Sequence, residues 1–141
     1  MLWRVVRSGR IKMTTPQIIL YVVILLVVAL YVRRRLQLRG LKSYSPQEAA
    51  ERVKQPGSSI LLDVRTNVER QRRSIKGSIH IPLHELGQRV DELEKYRSKE
   101  IICYCQSGNR SISAAARLKK SGFTVANMNG GISEWNSLGL T

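Results

Sequence analysis

Between Ile18 and Val32 the chain runs through fifteen residues with no charged or strongly polar side chain. Extended back to Met13, the run reaches about twenty residues, the length a helix needs to cross a bilayer core. Thr14-Thr15-Pro16 supplies a helix start, because proline is tolerated in the first turn. Tyr21 and Tyr31 suit the two membrane interfaces. A cleaved signal peptide and a buried core helix are the rival readings of the same pattern. Ala29-Leu30-Tyr31, however, lacks a small-x-small cleavage site, and Arg33-Arg34-Arg35 follows at once as a stop-transfer signal would. An uncleaved anchor is the expectation.

Beyond a basic linker the pattern changes to short apolar runs separated by turn and cap residues. Ser45-Pro46-Gln47-Glu48 opens a helix with an N-cap serine, a proline at the first helical position and a capping-box glutamate. Pro56-Gly57 ends it. Ile60 to Val64 reads as a strand buried on both faces, since its apolar residues do not alternate with polar ones. Gly77 to Pro82 looks like a shorter strand stopped by its proline. Leu83, Leu86, Val90 and Leu93 fall at helical spacing, so residues 83–94 are expected to form an amphipathic helix. Ile101 to Tyr104 is a second buried strand, followed by a helix from about Asn109 to Ser121 that Gly122 closes. Phe123 to Met128 is a third strand candidate, and Gly130-Gly131 turns the chain into a last short helix carrying Trp135.

Strands alternating with helices imply an α/β domain with a central parallel sheet flanked by helices. The expected organisation is a basic extension over residues 1–12 and a transmembrane helix over 13–32. A basic juxtamembrane linker over 33–42 and an α/β domain over 43–141 follow.

Charge sharpens this division. The formal net charge of +14 at first points to nucleic acid. Residues 1–42, however, hold nine Lys and Arg and no acidic residue, leaving fifteen basic against ten acidic side chains in the remainder. Most of the positive charge therefore flanks the apolar stretch and reads as membrane topology and headgroup attraction, with no nucleic-acid partner implied. The basic residues on the two sides of the span barely decide its orientation. If Met13 is the natural start, Arg33 to Lys42 dominate and the folded domain faces the cytoplasm.

The chemistry lies at the end of the second buried strand. Cys105-Gln106-Ser107-Gly108-Asn109-Arg110-Ser111 leads directly into an Ala-rich helical segment. At that junction backbone N–H groups converge and a helix N-terminus carries about half a positive charge, which favours a nucleophilic thiolate. Ligands of parallel α/β sheets bind beyond the carboxyl ends of strands, where Cys105 lies. Gly108 permits a tight turn that points N–H groups inward, and Asn109 and Ser111 favour turn and helix-start conformations. Cys103, two residues before Cys105, is badly placed for a disulfide along an extended strand. Two unpaired thiols fit a reducing compartment. Cys103 reads most simply as a small buried hydrophobe, with a resolving thiol as the alternative.

Four blocks occur in order: Leu61-Leu62-Asp63-Val64-Arg65, Ile75 to Pro82, Cys105 to Ser111, and Gly130-Gly131-Ile132-Ser133-Glu134-Trp135. Over about Tyr44 to Leu140 they resemble a single-domain rhodanese of the rhodanese-like sulfurtransferases. The resemblance implies that Cys105 accepts a sulfane sulfur as a persulfide, which a second nucleophile removes. It implies that Arg110 attracts an anionic donor such as thiosulfate, while Gln106, Ser107, Gly108, Asn109 and Ser111 line the substrate cradle. Asp63 and Arg65 are expected to brace neighbouring loops. Displacement at sulfur requires no metal and no organic cofactor. The loop from Cys105 to Arg110 has the six-residue length of sulfurtransferases, one shorter than in the related dual-specificity phosphatases. Trp135 is expected to pack under the last turn, and His80 and His84 to be structural or surface residues. Many family members carry Gly-His-Ile where this chain reads Arg73-Ser74-Ile75. There the cluster Arg70, Arg72, Arg73 and Lys76 forms either a solvated face or a surface for an anionic substrate or acidic partner.

These readings converge on a thiosulfate sulfurtransferase-type enzyme, single-pass in the membrane. A small-molecule sulfur donor and a thiol or protein acceptor are its expected partners, with cyanide as the acceptor in vitro. The alternative is a noncatalytic or persulfide-carrier module that docks on a membrane partner.

Overall fold

The computed structural model describes residues 14–38 and 40–140, so the basic extension, Met13, Arg39 and Thr141 lie outside the described residues. The chain divides into two units, Met1–Gln37 and Leu38–Thr141. The first is described by helix α1, Thr15–Leu38. Its Thr15–Arg33 portion has a mean hydropathy of 2.4 and is long and apolar enough to cross a membrane. Ile18 to Val28 and Leu30 to Val32 are all exposed rather than packed into a core.

The second unit is built on a five-stranded sheet: β1 (Lys42–Tyr44), β2 (Ser59–Asp63), β3 (Ile79–His80), β4 (Glu100–Tyr104) and β5 (Val125–Met128). The strand order is β1-β5-β4-β2-β3, and every neighbouring pair is parallel. The helices are α2 (Pro46–Lys54), α3 (Asn67–Arg72), α4 (Asn109–Lys120) and α5 (Gly131–Ser137), with a 3-10 helix over Val90–Tyr96. The sheet is thus the expected parallel one, flanked by helices.

Strand β4 sits between β5 and β2 along its edges and is buried on both faces, which explains the uninterrupted apolar run from Ile101 to Tyr104. Its side chains alternate between two cores. Ile101 and Cys103 join Leu62, Leu86, Leu93, Ala114, Leu118 and Phe123 on one side. Ile102 and Tyr104 join Tyr44, Ala49, Met128, Ile132 and Trp135 on the other. Each fully buried large aliphatic side chain stabilises the fold by about 1.5–3 kcal/mol, so this strand is the mechanical centre of the domain. Trp135 packs in the second core, as its position in the final helix led us to expect.

Helix α2 begins as its sequence predicts: the Ser45 hydroxyl accepts from the Glu48 N–H, and the Glu48 carboxylate accepts from the Ser45 N–H. The segment 83–94 departs from expectation. Residues 83–88 form turns, and the 3-10 helix begins only at Val90. Glu85 N–H donates to the Pro82 carbonyl, Gln88 to Glu85 and Glu92 to Arg89, each bond spanning three residues. Pro82 and Gly87 both disfavour a regular α-helix here. Leu86 and Leu93 still reach the core, because a 3-10 path also brings every third residue to one face. Two further elements were not anticipated. They are the edge strand β1, which reaches into the expected linker, and α3, which has no buried residue.

Candidate active site

Strands β2 and β4 end side by side, with Asp63 opposite Tyr104 in register. Beyond these ends the chain enters the two loops that make the site. Beneath the first loop lies a buried polar network. Arg65 donates from Nε to Asp63 Oδ1 at 3.0 Å and from Nη2 to Asp63 Oδ2 at 2.7 Å. The same Nη2 reaches the Arg73 carbonyl at 2.7 Å, which fixes the far end of α3. The Tyr104 hydroxyl donates to Asp63 Oδ2 at 3.0 Å and meets the Ser78 hydroxyl at 2.9 Å. His80 Nε2 pairs with the Arg65 carbonyl at 2.8 Å, whereas His84 is exposed beside Glu85. Asp63 and Arg65 therefore tie three segments together.

The second loop carries the thiol. Gly108 takes the N-cap position of α4 with a φ of 97°, in the left-handed region, and no side chain caps this helix. A Cβ at Gly108 would also press on the Met128 carbonyl and the Gly130 nitrogen, each 3.3 Å away. The N–H of this N-cap residue is itself turned to the thiol: Gly108 N–H donates to Cys105 Sγ at 3.2 Å. The Ser111 hydroxyl lies 3.5 Å from the same sulfur and 3.0 Å from the Gly108 carbonyl. A hydroxyl has one proton, so it serves one of these acceptors at a time, and ionisation of the thiol favours the sulfur.

Burial alone would push the Cys105 thiol up, because low-dielectric surroundings penalise the thiolate. Hydrogen bonds from the Ser111 hydroxyl and from the N–H groups of Ser111, Ser107 and Gly108 outweigh that penalty, and the net shift is downward. Cys103 lacks such donors. Complete burial, with the neighbouring Cys105 charge adding to it, pushes its thiol up to about 12. The end of β4 therefore sets a thiol whose pKa is lowered two residues after one whose pKa is raised. Replacing Ser111 by alanine is expected to raise the Cys105 pKa and to slow iodoacetamide alkylation at pH 7 about threefold. In a rate–pH curve the wild-type half-point should lie below the ordinary thiol range and move upward in the variant. An unmoved curve would exclude the hydroxyl from thiol activation.

Of the other expected residues, Gln106, Ser107 and Asn109 are exposed around the loop. The Gln106 amide nitrogen donates to the Ser133 hydroxyl at 2.7 Å, which turns its side chain toward α5. Arg110 is engaged by a partner that the sequence did not reveal. Its two terminal nitrogens make a bidentate pair with Glu69, at 2.8 and 2.6 Å. Glu69 also closes the capping box of α3 with Thr66. The Arg110 guanidinium, with burial opposing and Thr66 assisting, holds the Glu69 carboxyl down at about 2. Thr66-x-x-Glu69 is a capping-box pattern and could have located α3. Nothing local announces an ion pair across 41 residues.

The loop is fastened from the C-terminal side. Ile132 N–H donates to the Cys105 carbonyl at 2.9 Å and Ser133 N–H to the Gln106 carbonyl at 3.1 Å. Gly131 adopts a φ of 58°, and a Cβ there would run into the backbone of Cys105 and Gln106. Gly131 is thus required by the close approach of α5 to the thiol loop. Among the described residues no three His, Cys, Asp or Glu side chains gather as a metal site.

This geometry has parallels. The profile of the rhodanese-like domain matches residues 45–138. A sulfurtransferase of Allochromatium vinosum is 33% identical over 95 residues, covering 67% of this chain and 87% of that protein. YrkF of Bacillus subtilis, named as a candidate sulfur carrier, is 40% identical over 86 residues, covering 60% of this chain and 45% of YrkF. The crystal structure of a thiosulfate sulfurtransferase from Pseudomonas aeruginosa superposes with a TM-score of 0.65 at 30% identity, over 73% of this chain and 20% of that one. A parallel sheet delivering a hydrogen-bonded thiol to the first turn of a helix, within a matching profile, places the chain in the rhodanese-like domain family of sulfurtransferases and sulfur carriers.

Proposed function

We propose that the protein is a membrane-anchored sulfurtransferase in which Cys105 takes sulfane sulfur from a donor such as thiosulfate and passes it to a thiophilic acceptor. The observation that carries this reading is the hydrogen bond from Gly108 N–H to Cys105 Sγ at the uncapped start of α4. Donors already aimed at the sulfur stabilise the thiolate that attacks. They also stabilise the terminal sulfur of the resulting persulfide, which is likewise anionic. Asp63 and Arg65 serve as bracing residues, and the cradle from Gln106 to Ser111 receives the donor. The test is intact-mass measurement of the full chain in detergent after incubation with thiosulfate. A gain of one sulfur atom that cyanide removes supports the cycle, and no gain with any sulfane donor would overturn it. The similarity to YrkF supports a second reading, a dedicated carrier. Such a carrier gains the sulfur but shows no multiple turnover with cyanide.

The anchor rests on the exposed apolar Thr15–Arg33 segment and on the basic run that follows it. Five basic residues follow the span and four precede it, so the positive-inside rule tips by a single residue toward a cytoplasmic side for the folded domain, and we take that as the working orientation. The full chain is expected to stay with the membrane pellet after an alkaline carbonate wash and to resist protease added outside intact cells. Release by carbonate would exclude the anchor, and digestion from outside would reverse the orientation.

A further inference from the structure

Charge is arranged unevenly around the thiol. At its side, the Arg110 guanidinium is neutralised by the bidentate Glu69 carboxylate. Thiosulfate carries its charge on the transferred sulfur and on oxygens two bonds from it. It therefore meets a fixed carboxylate as well as a cation as it approaches. The uncancelled positive charge lies elsewhere, along a groove that starts next to the nucleophile. A cavity of about 380 Å³ has Glu69, Arg72, Arg73 and Gln106 in its lining, together with Arg65, whose charge is already paired with Asp63. A second, of about 420 Å³, shares Arg73 and Asn136 and continues past Lys76 to Trp135 and Leu140. Each is within the range of sites for small organic molecules. Arg72, Arg73 and Lys76 are exposed, and among the described residues they enter none of the ion pairs. Arg70 differs, since it is drawn inward to Ser78.

We propose that this groove holds the organic part of a low-molecular-weight persulfide whose carboxylates lie several bonds from its sulfur, and that Glu69 sets the preference for this class over thiosulfate. Arg72, Arg73 and Lys76 receive the carboxylates, the apolar faces of Trp135 and Leu140 support the carbon chain, and Gln106 marks the end from which sulfur is delivered. The proposal rests on the sulfurtransferase reading and names its substrate class. In the transfer, the Cys105 thiolate attacks the outer sulfur of R–S–SH. A new sulfur–sulfur bond forms on Cys105 as the sulfur–sulfur bond between the outer and inner sulfurs of the donor breaks. R–S⁻ leaves as a thiolate and takes a proton, the Cys105 persulfide stays ionised, and no external oxidant or reductant is consumed.

The test compares three donors on the full chain in detergent: glutathione persulfide, the persulfide of glutathione diethyl ester, and thiosulfate. Wild type should favour the acid over its diester by about tenfold in kcat/KM, and the Arg73→Glu, Lys76→Glu double variant should lose that preference. Glu69→Gln keeps the side-chain oxygen that the α3 capping box uses while removing the charge. It should raise kcat/KM for thiosulfate relative to glutathione persulfide about tenfold. Equal values for acid and diester in wild type, or a preference that survives the charge reversal, would overturn the groove. A thiosulfate ratio unmoved by Glu69→Gln would overturn the role of Glu69. Failure of all three donors to load wild-type Cys105 would overturn the sulfurtransferase reading itself, and an intact-mass spectrum separates that result from the others.

Discussion

Replacement of Cys105 by serine is expected to leave a folded protein that gains no sulfur, with turnover reduced by about a thousandfold or more. The substitution exchanges one buried atom for a slightly smaller one, and Gly108 N–H and the Ser111 hydroxyl can still bond to an oxygen in its place. Stability should therefore change little. Reactivity changes completely, because the cradle lowers the proton affinity of a thiol enough to matter at neutral pH but cannot ionise an aliphatic hydroxyl. Intact-mass spectra of wild type and variant beside a denaturation curve of each would check both halves. Turnover at the wild-type level would remove Cys105 from the chemistry.

The largest loss of stability is expected on replacing Arg65 by alanine, about 3–5 kcal/mol. The Arg65 and Asp63 side chains are 2% and 0% exposed, so truncation strands a carboxylate in the interior, left with the Tyr104 hydroxyl and the backbone N–H of residue 65 as its direct donors and no charged partner within hydrogen-bonding distance. The Arg70 guanidinium, at 3.8 Å, is too distant to replace a bidentate partner. The carbonyls of Arg73 and Glu69 also lose a donor, so the α3 loop loosens along with Glu69. In urea the midpoint should fall sharply at an unchanged slope, and a variant within 1 kcal/mol of wild type, a difference measurable by linear extrapolation, would show that the network is dispensable.

Physical range explains which of these features were legible in the sequence. Strands β2 and β4 announce themselves because central parallel strands must be apolar on both faces. The thiol loop is legible because its turn, nucleophile and helix start are consecutive. Strand β1 has three residues, two of them exposed, and exists only through pairing with β5, more than eighty residues away in sequence. Helix α3 buries nothing, so it leaves no apolar period. At 83–94 the apolar spacing was read correctly as a core-facing face, but spacing of three and four does not separate an α-helix from turns followed by a 3-10 helix. The Glu69–Arg110 pair joins two segments that only the completed sheet brings together.

The contrast between the two cysteines bears on how long a sulfur atom remains once loaded. Cys103 is wholly buried and its thiol is pushed up to about 12, so it stays protonated and unreactive at neutral pH. On the reading of Cys105 as the loaded thiol, its strand neighbour cannot strip the cargo by closing an internal disulfide. The sulfur can leave only when a nucleophile arrives from outside. Residence time is then set by encounters with acceptors, and the protein behaves as a timer that waits on its surroundings.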